Sequence, residues 1–205
     1  MNWKEFLSNA KNRNEFFFSL ILLAITLTGL ARFVNFVENR SGSLLSDPIL
    51  ALFNPIDLTW ITFGLIYISL VVAILTLLKN PQQFLFALQL YTFMAIVRII
   101  SMFLLPLEPP EKMLLLKDPF VEFFGSGQTL TRDLFFSGHT ATLLILFLVT
   151  EKKSIKIIFF VTTIVVAVCV LIQHVHYTID VFAAVFFTYA SYKLLLHFKL
   201  GRLDR

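Results

Sequence analysis

Charge is what this chain has least of. Lys, Arg, Asp and Glu make up 15% of its 205 residues, where a soluble domain carries about 25%. So small a share excludes an ordinary water-facing surface. Cysteine occurs once, as Cys169 within an apolar run. An intrachain disulfide is therefore excluded, and the thiol reads as packing. The cations lie scattered between apolar runs, not gathered in a footprint, which argues against nucleic acid despite a net charge of +4. No cleavable signal peptide is expected, because the first apolar run starts only after Glu15 and is too long for a signal core. Neither a low-complexity linker nor a second domain stands out. The 4 histidines find no third and fourth partner at zinc-like spacing, so neither a metal nor another cofactor is expected.

What is present is apolar length. Apolar residues make up 58% of the chain, with Phe occurring 24 times. They fall into six runs, about 16–37, 58–78, 84–105, 134–150, 156–172 and 178–196. Each approaches the ~20 residues that a bilayer core requires, although the fourth and fifth are short. The runs are continuous rather than alternating, so helices are expected and not barrel strands. The expectation is an all-α polytopic membrane protein, one domain of six transmembrane helices. Lys4, Lys11, Arg13, Lys79, Lys152, Lys153 and the C-terminal cations outnumber Arg40, Lys112, Lys117 and Arg132 across the alternate connections. That asymmetry predicts both termini on the cytoplasmic side, in a plasma or inner membrane. The fourth and sixth runs then both begin on the non-cytoplasmic face.

Two motifs sit at those two beginnings: Asp133-Leu134-Phe135-Phe136-Ser137-Gly138-His139-Thr140 and His174-Val175-His176-Tyr177-Thr178-Ile179-Asp180. Ionisable groups beside hydrocarbon are costly, and their default reading is a functional site. His176 and Asp180 share a helix face. The carboxylate can orient the ring and leave its other nitrogen free to attack phosphorus. His139 can protonate the leaving alcohol and deprotonate an incoming one. Ser137 and Gly138 sit where backbone amides at a helix start favour phosphate. Asp133 orients that loop or a substrate hydroxyl, or caps the helix. Arg98, buried in the third run, faces the bundle interior toward a carboxylate or the substrate phosphate, or else snorkels. His174, Tyr177 and Arg132 are further candidates for the substrate site. The long connection 106–133 carries Pro106, Pro109 and Pro110, the apolar patch Met113-Leu114-Leu115-Leu116 and the turn Gly125-Ser126-Gly127. It reads as a lid, a lipid entrance or a plain connector.

At these residues the chain resembles the type-2 phosphatidic acid phosphatase superfamily, and within it the sphingomyelin synthase-like branch. Asp133 to Thr140 looks like that branch's middle motif and His174 to Val181 like its last. Arg98-Ile99-Ile100-Ser101-Met102 through Leu105-Pro106 is similar to its third-span end. The resemblance covers about 90–190, and it implies a metal-independent triad at His139, His176 and Asp180. The phosphatase branch adds a Lys…Arg-Pro motif and a Ser-Arg pair ahead of the last histidine. Here positions 169 and 170 are Cys and Val. A dianionic monoester wants those cations more than a phosphodiester does. The expected reaction is therefore transfer of a phosphate-bearing head group from a phospholipid to a lipid alcohol through a phosphohistidine. Hydrolysis of a phosphatidate-type monoester, with water as acceptor, is the second reading. A transporter or inactive scaffold is the third, disfavoured by the absence of a clear repeat.

Overall fold

The computed structural model describes residues 2–117 and 130–200. Among them are seven α-helices: α1 (Trp3–Ser8), α2 (Ala10–Glu38), α3 (Thr59–Leu77), α4 (Pro81–Leu104), α5 (Gly138–Val149), α6 (Lys153–Ile172) and α7 (Thr178–Leu200). A 3-10 turn spans Leu50–Leu52. Local chemistry sets the boundaries. Asn2 and Glu5 close a reciprocal capping box on α1. The Asn9 side chain accepts from the amides of Lys11 and Asn12 at the start of α2. Pro81 occupies the first turn of α4, where its missing N–H is not needed, and Asn80 caps it.

Five helices, α2, α3, α4, α6 and α7, are long and apolar enough to cross a membrane. Their outward faces carry Phe18, Ile25, Ile68, Leu75, Ile158, Phe182 and Phe186, all exposed. In water such a surface would drive aggregation; in hydrocarbon it costs nothing. The chain is built as a multi-pass membrane protein.

The fourth expected span departs from its reading. Residues 134–137 are not helical, and α5 has only 12 residues, about 18 Å of rise. The apolar run is real, but Ser137 stops the helix short by accepting from the Thr140 amide. The helix can be short because it is central. It packs against α3, α4, α6 and α7, and Leu143, Ile145 and Ala141 are almost fully buried. Its C-terminal end is met by protein: Gln83 of α4 donates to the Val149 carbonyl. The first span also differs, starting at Ala10 rather than near residue 16.

At one end of the bundle, three non-helical segments interlock. Residues 43–57 form a strap across this end. The Ser43 amide donates to Pro106 O and the Ser43 carbonyl accepts from the Glu108 amide, bracketing Leu107; Ile56 donates to Ile172 O, and Leu114 donates to Gln173 O. Gly42 is required there, because a Cβ would come within 2.5 Å of the Leu107 backbone. Arg40 bonds the carbonyls of Met102 and Phe103, satisfying the end of α4. Leu116 of the apolar patch packs on the core, while Leu115 remains exposed. Gly125-Ser126-Gly127 lies outside the described residues.

Candidate active site

His139 sits in the first turn of α5 and His176 in the loop just before α7. Their rings meet edge to face with centroids 5.8 Å apart. Asp180 lies in the first turn of α7, and its Oδ2 is 3.4 Å from His176 Nδ1, with both side chains essentially fully buried. That separation permits charge attraction, but the angle is off the line of a hydrogen bond. Oδ2 instead accepts the Tyr177 amide at 3.0 Å, a cap on the helix start. Nδ1 of His176 and Oδ1 of Asp180 are thus left without hydrogen-bond partners. Buried polar atoms of this kind are uncommon in proteins, and a water, an ion or a ligand can complete their hydrogen bonds.

The two motifs are also tied through the backbone. The Ser137 amide donates to the Asp180 carbonyl at 3.2 Å. Ser137 is fully buried and spends its hydroxyl on capping α5. Arg98 faces inward: it is 5% exposed, and the snorkelling alternative does not hold. Its Nε donates to Phe136 O at 2.7 Å, and Nη2 pairs with Asp133 Oδ1 at 2.8 Å. Its guanidinium lies against Gly138, where a Cβ would come within 3.1 Å of Cζ. Asp133 is therefore an ion-pair partner, and Ser137 is the cap. Arg98 clamps the loop that delivers His139.

Some of these groups border a cavity of about 320 Å³, although neither His176 nor Asp180 lines it. Arg98, Asp133, Gly138 and His139 form its polar wall, and Leu30, Phe63, Tyr67 and Met94 its apolar walls. The polar wall comes from α4, α5 and the loop before α5, and the apolar walls from α2, α3 and α4. A phosphate group on an acyl-bearing molecule has the matching shape: charge at one end, hydrocarbon at the other.

Three of the expected site residues lie elsewhere. Arg132 pairs with Glu108 at 2.8 Å and bonds the Glu38 carbonyl, away from the cavity wall. Tyr177 is 1% exposed and its hydroxyl is spent, donating to Glu108 O and accepting from the Leu45 amide. His174 turns to the strap, against Phe53.

Sequence reasoning missed the residues that hold the second motif. Asp47, in the strap, accepts the Thr178 amide at 2.6 Å and its hydroxyl at 3.1 Å. It also accepts from Ile49 and Leu50. Burial alone would push this carboxyl up, but those hydrogen bonds outweigh it and hold it below the usual aspartate value. Asp47 thus caps α7 from 131 residues away in sequence. Gln173 accepts the Leu58 amide and donates to Thr59, fixing the same loop to α3. Nothing in the spacing of Asp47 or Gln173 signals either role.

Residues 132–198 match the family described as PAP2 superfamily C-terminal. The matched stretch is roughly a third of the chain and contains both histidine motifs. It supports kinship with the PAP2 superfamily, whose members are phosphatases or phosphotransferases. No curated protein and no solved structure matches the chain. Among the described residues, no group of three or more His, Cys, Asp or Glu side chains could hold a metal ion.

Proposed function

We propose that this PAP2-like chain is an integral membrane phosphotransferase that moves a phosphate-bearing head group from a phospholipid to a lipid alcohol. The observation that carries the reading is the 5.8 Å approach of His139 to His176 beside a cavity polar at one end and apolar at the other.

The chemistry runs in two balanced steps. The free Nε2 of His176 attacks phosphorus, forming a P–N bond while the P–O bond to the donor's glycerol oxygen breaks. Protonated His139 gives its proton to that oxygen, and the diacylglycerol leaves. The acceptor's hydroxyl oxygen then attacks phosphorus, passes its proton to His139, and the P–N bond breaks. Asp180 favours the cationic imidazole that forms at His176. Arg98 and the first amides of α5 offer positive potential to the phosphoryl oxygens. The apolar walls admit lipid and limit water, which favours an alcohol acceptor. The sphingomyelin synthase-like assignment, the six-crossing topology with both termini cytoplasmic, and the non-cytoplasmic placement of the site belong to this same proposal.

The test is reconstitution of the purified protein in nanodiscs with phosphatidylcholine, phosphatidylethanolamine or phosphatidate, with and without ceramide or diacylglycerol. Head-group transfer that requires the lipid alcohol supports the reading. Free phosphate from phosphatidate without an acceptor would replace transfer with hydrolysis. Unchanged activity in His176→Ala would remove the mechanism.

A further inference from the structure

His139 is half-buried and has two aromatic neighbours. One is His176, described above. The other is Phe63 of α3, whose ring meets it edge to face with centroids 6.0 Å apart. Tyr67 follows one turn along the same face of α3. Its ring stacks on Phe63, with centroids 5.8 Å apart and 17° between the planes. Phe63 and Tyr67 border the same cavity as Arg98, Gly138 and His139. Among the described α3 residues on that wall, Tyr67 alone carries a polar group. The stack holds its ring plane, and a phenol set in an apolar wall is costly unless its oxygen meets a polar partner.

The phosphotransfer reaction asks for such a group beside His139, which must keep one nitrogen toward the lipid oxygen in both steps. Its Nδ1 is buried against protein, which leaves Nε2 to face the cavity. The polar groups near it in sequence are committed elsewhere. Ser137 caps α5, Thr142 donates to Gly138 O, and Asp133 pairs with Arg98. Tyr91, the other phenol on the cavity wall, lies about two turns along α4 from Arg98, away from the polar end.

We propose that Tyr67 is a further catalytic residue, acting on the oxygen that His139 protonates and deprotonates. The inference rests on the phosphotransfer reading and deepens it. In the resting protein the phenol hydroxyl bonds His139 Nε2 and keeps the ring in register with His176. When lipid fills the cavity, its alcohol oxygen takes Nε2, and the phenol O–H turns to donate to that oxygen. A phenol both donates and accepts, so it follows His139 through its two protonation states and keeps its own proton throughout. In the first step it donates to the glycerol oxygen that leaves with the proton from His139. In the second, the acceptor's O–H points at Nε2. One lone pair of that oxygen takes the phenol's hydrogen bond, and the other stays aimed at phosphorus.

Two measurements on the full-length protein test this. The first is nitrogen NMR in detergent of protein isotopically labelled at its histidines, with the His139 signals assigned by their loss in His139→Gln. Tyr67→Phe keeps the ring stack and removes only the hydroxyl, so it should move the Nε2 resonance of His139. Tyr192→Phe, which alters a phenol packed on Phe86, should leave that resonance in place. The second is head-group transfer in nanodiscs. Tyr67→Phe should lower kcat about tenfold, the scale of one hydrogen bond, with KM and Tm close to wild type. Tyr67→Leu also removes the stack, so there KM should rise and Tm should fall as well. An unmoved His139 Nε2 resonance in Tyr67→Phe would overturn the resting contact, and a wild-type kcat in that variant would overturn the catalytic role. A resonance that moves in a protein that transfers no head group would sink the phosphotransfer reading by itself and leave the contact between Tyr67 and His139 standing.

Discussion

The two histidine-bearing junctions are built differently. At the start of α5, His139 stands on a cavity wall, and the loop before it is clamped from below by Arg98 of α4. At the start of α7, His176 is sealed to 1% exposure, and its loop is held from the side by Asp47, Gln173 and Tyr177. One junction is open and secured by an ion pair. The other is closed and secured by neutral and charge-assisted hydrogen bonds to backbone. The division suits the proposed roles. A proton carrier must meet substrates that come and go. A nucleophile must keep one orientation, and water near it would hydrolyse the intermediate.

The largest effect should come from the rings themselves. His176→Ala is expected to abolish transfer and any acid-labile phosphoryl adduct on the protein. His139→Ala should lower kcat by about 10²- to 10⁴-fold, the range for loss of a general acid–base. Trapping with labelled phospholipid separates the two: an adduct that persists in His176→Ala would dissolve the distinction between the junctions.

Next in size is the clamp. Arg98→Ala strips the Phe136 carbonyl and Asp133 of their partner, and hydrogen bonds to charged groups of this kind are worth about 1.5–3 kcal/mol each. Thermal unfolding in detergent should show a clear fall in Tm, with activity lost alongside. Arg98→Lys retains charge but not the fork, and should recover only part of either. Gly138→Ala, pressing on the same guanidinium from 3.1 Å, should act in the same direction more weakly.

Asp47→Ala tests the other junction. Loss of a helix cap costs about 0.5–2 kcal/mol, and kcat should fall more than KM rises, because the change disturbs His176 and leaves the lipid cavity alone. Asp47→Asn keeps an acceptor for Thr178 and should sit between. An Asp47→Ala protein with wild-type kcat would show that the strap does not position the nucleophile.

The smallest effect is the pH dependence of that contribution. The Asp47 carboxyl is held below its ordinary 3.8 in the folded chain. Its stabilisation is therefore present above that value and is lost as pH falls through the lower, folded one. The Tm gap between wild type and Asp47→Asn should be constant near neutrality and close only in strong acid.

The helices were legible because lipid demands a simple code, long apolar runs; their caps at Asn9 and Asn80-Pro81 went unread, so the first span was expected to start near residue 16 rather than at Ala10. The run at 134–150 misled for a physical reason. Composition reports that residues are shielded from water, not whether lipid or protein does the shielding, and α5 is shielded by its neighbours. The candidate site was legible in part: His139, His176, Asp180 and Arg98 stand out as polar groups in apolar surroundings. Tyr177 and Arg132 stood as further substrate-site candidates, yet their polar atoms are spent on Glu108, Glu38 and Leu45. Asp47 carried no signal at all, because an aspartate in a loop is ordinary and its target lies far along the chain.

The sequence by itself determined the solvent this protein requires, the bulk of its helices and the residue types able to do phosphoryl chemistry. Those follow from short-range physics: apolar length, backbone satisfaction and caps. Only the tertiary structure decided that two imidazoles share one gap, that Arg98 serves the loop before it serves a ligand, and that a strap from the other half of the chain holds α7. Such pairings depend on distances between segments far apart in sequence, and hydrocarbon-facing helices set those distances by packing rather than by pattern.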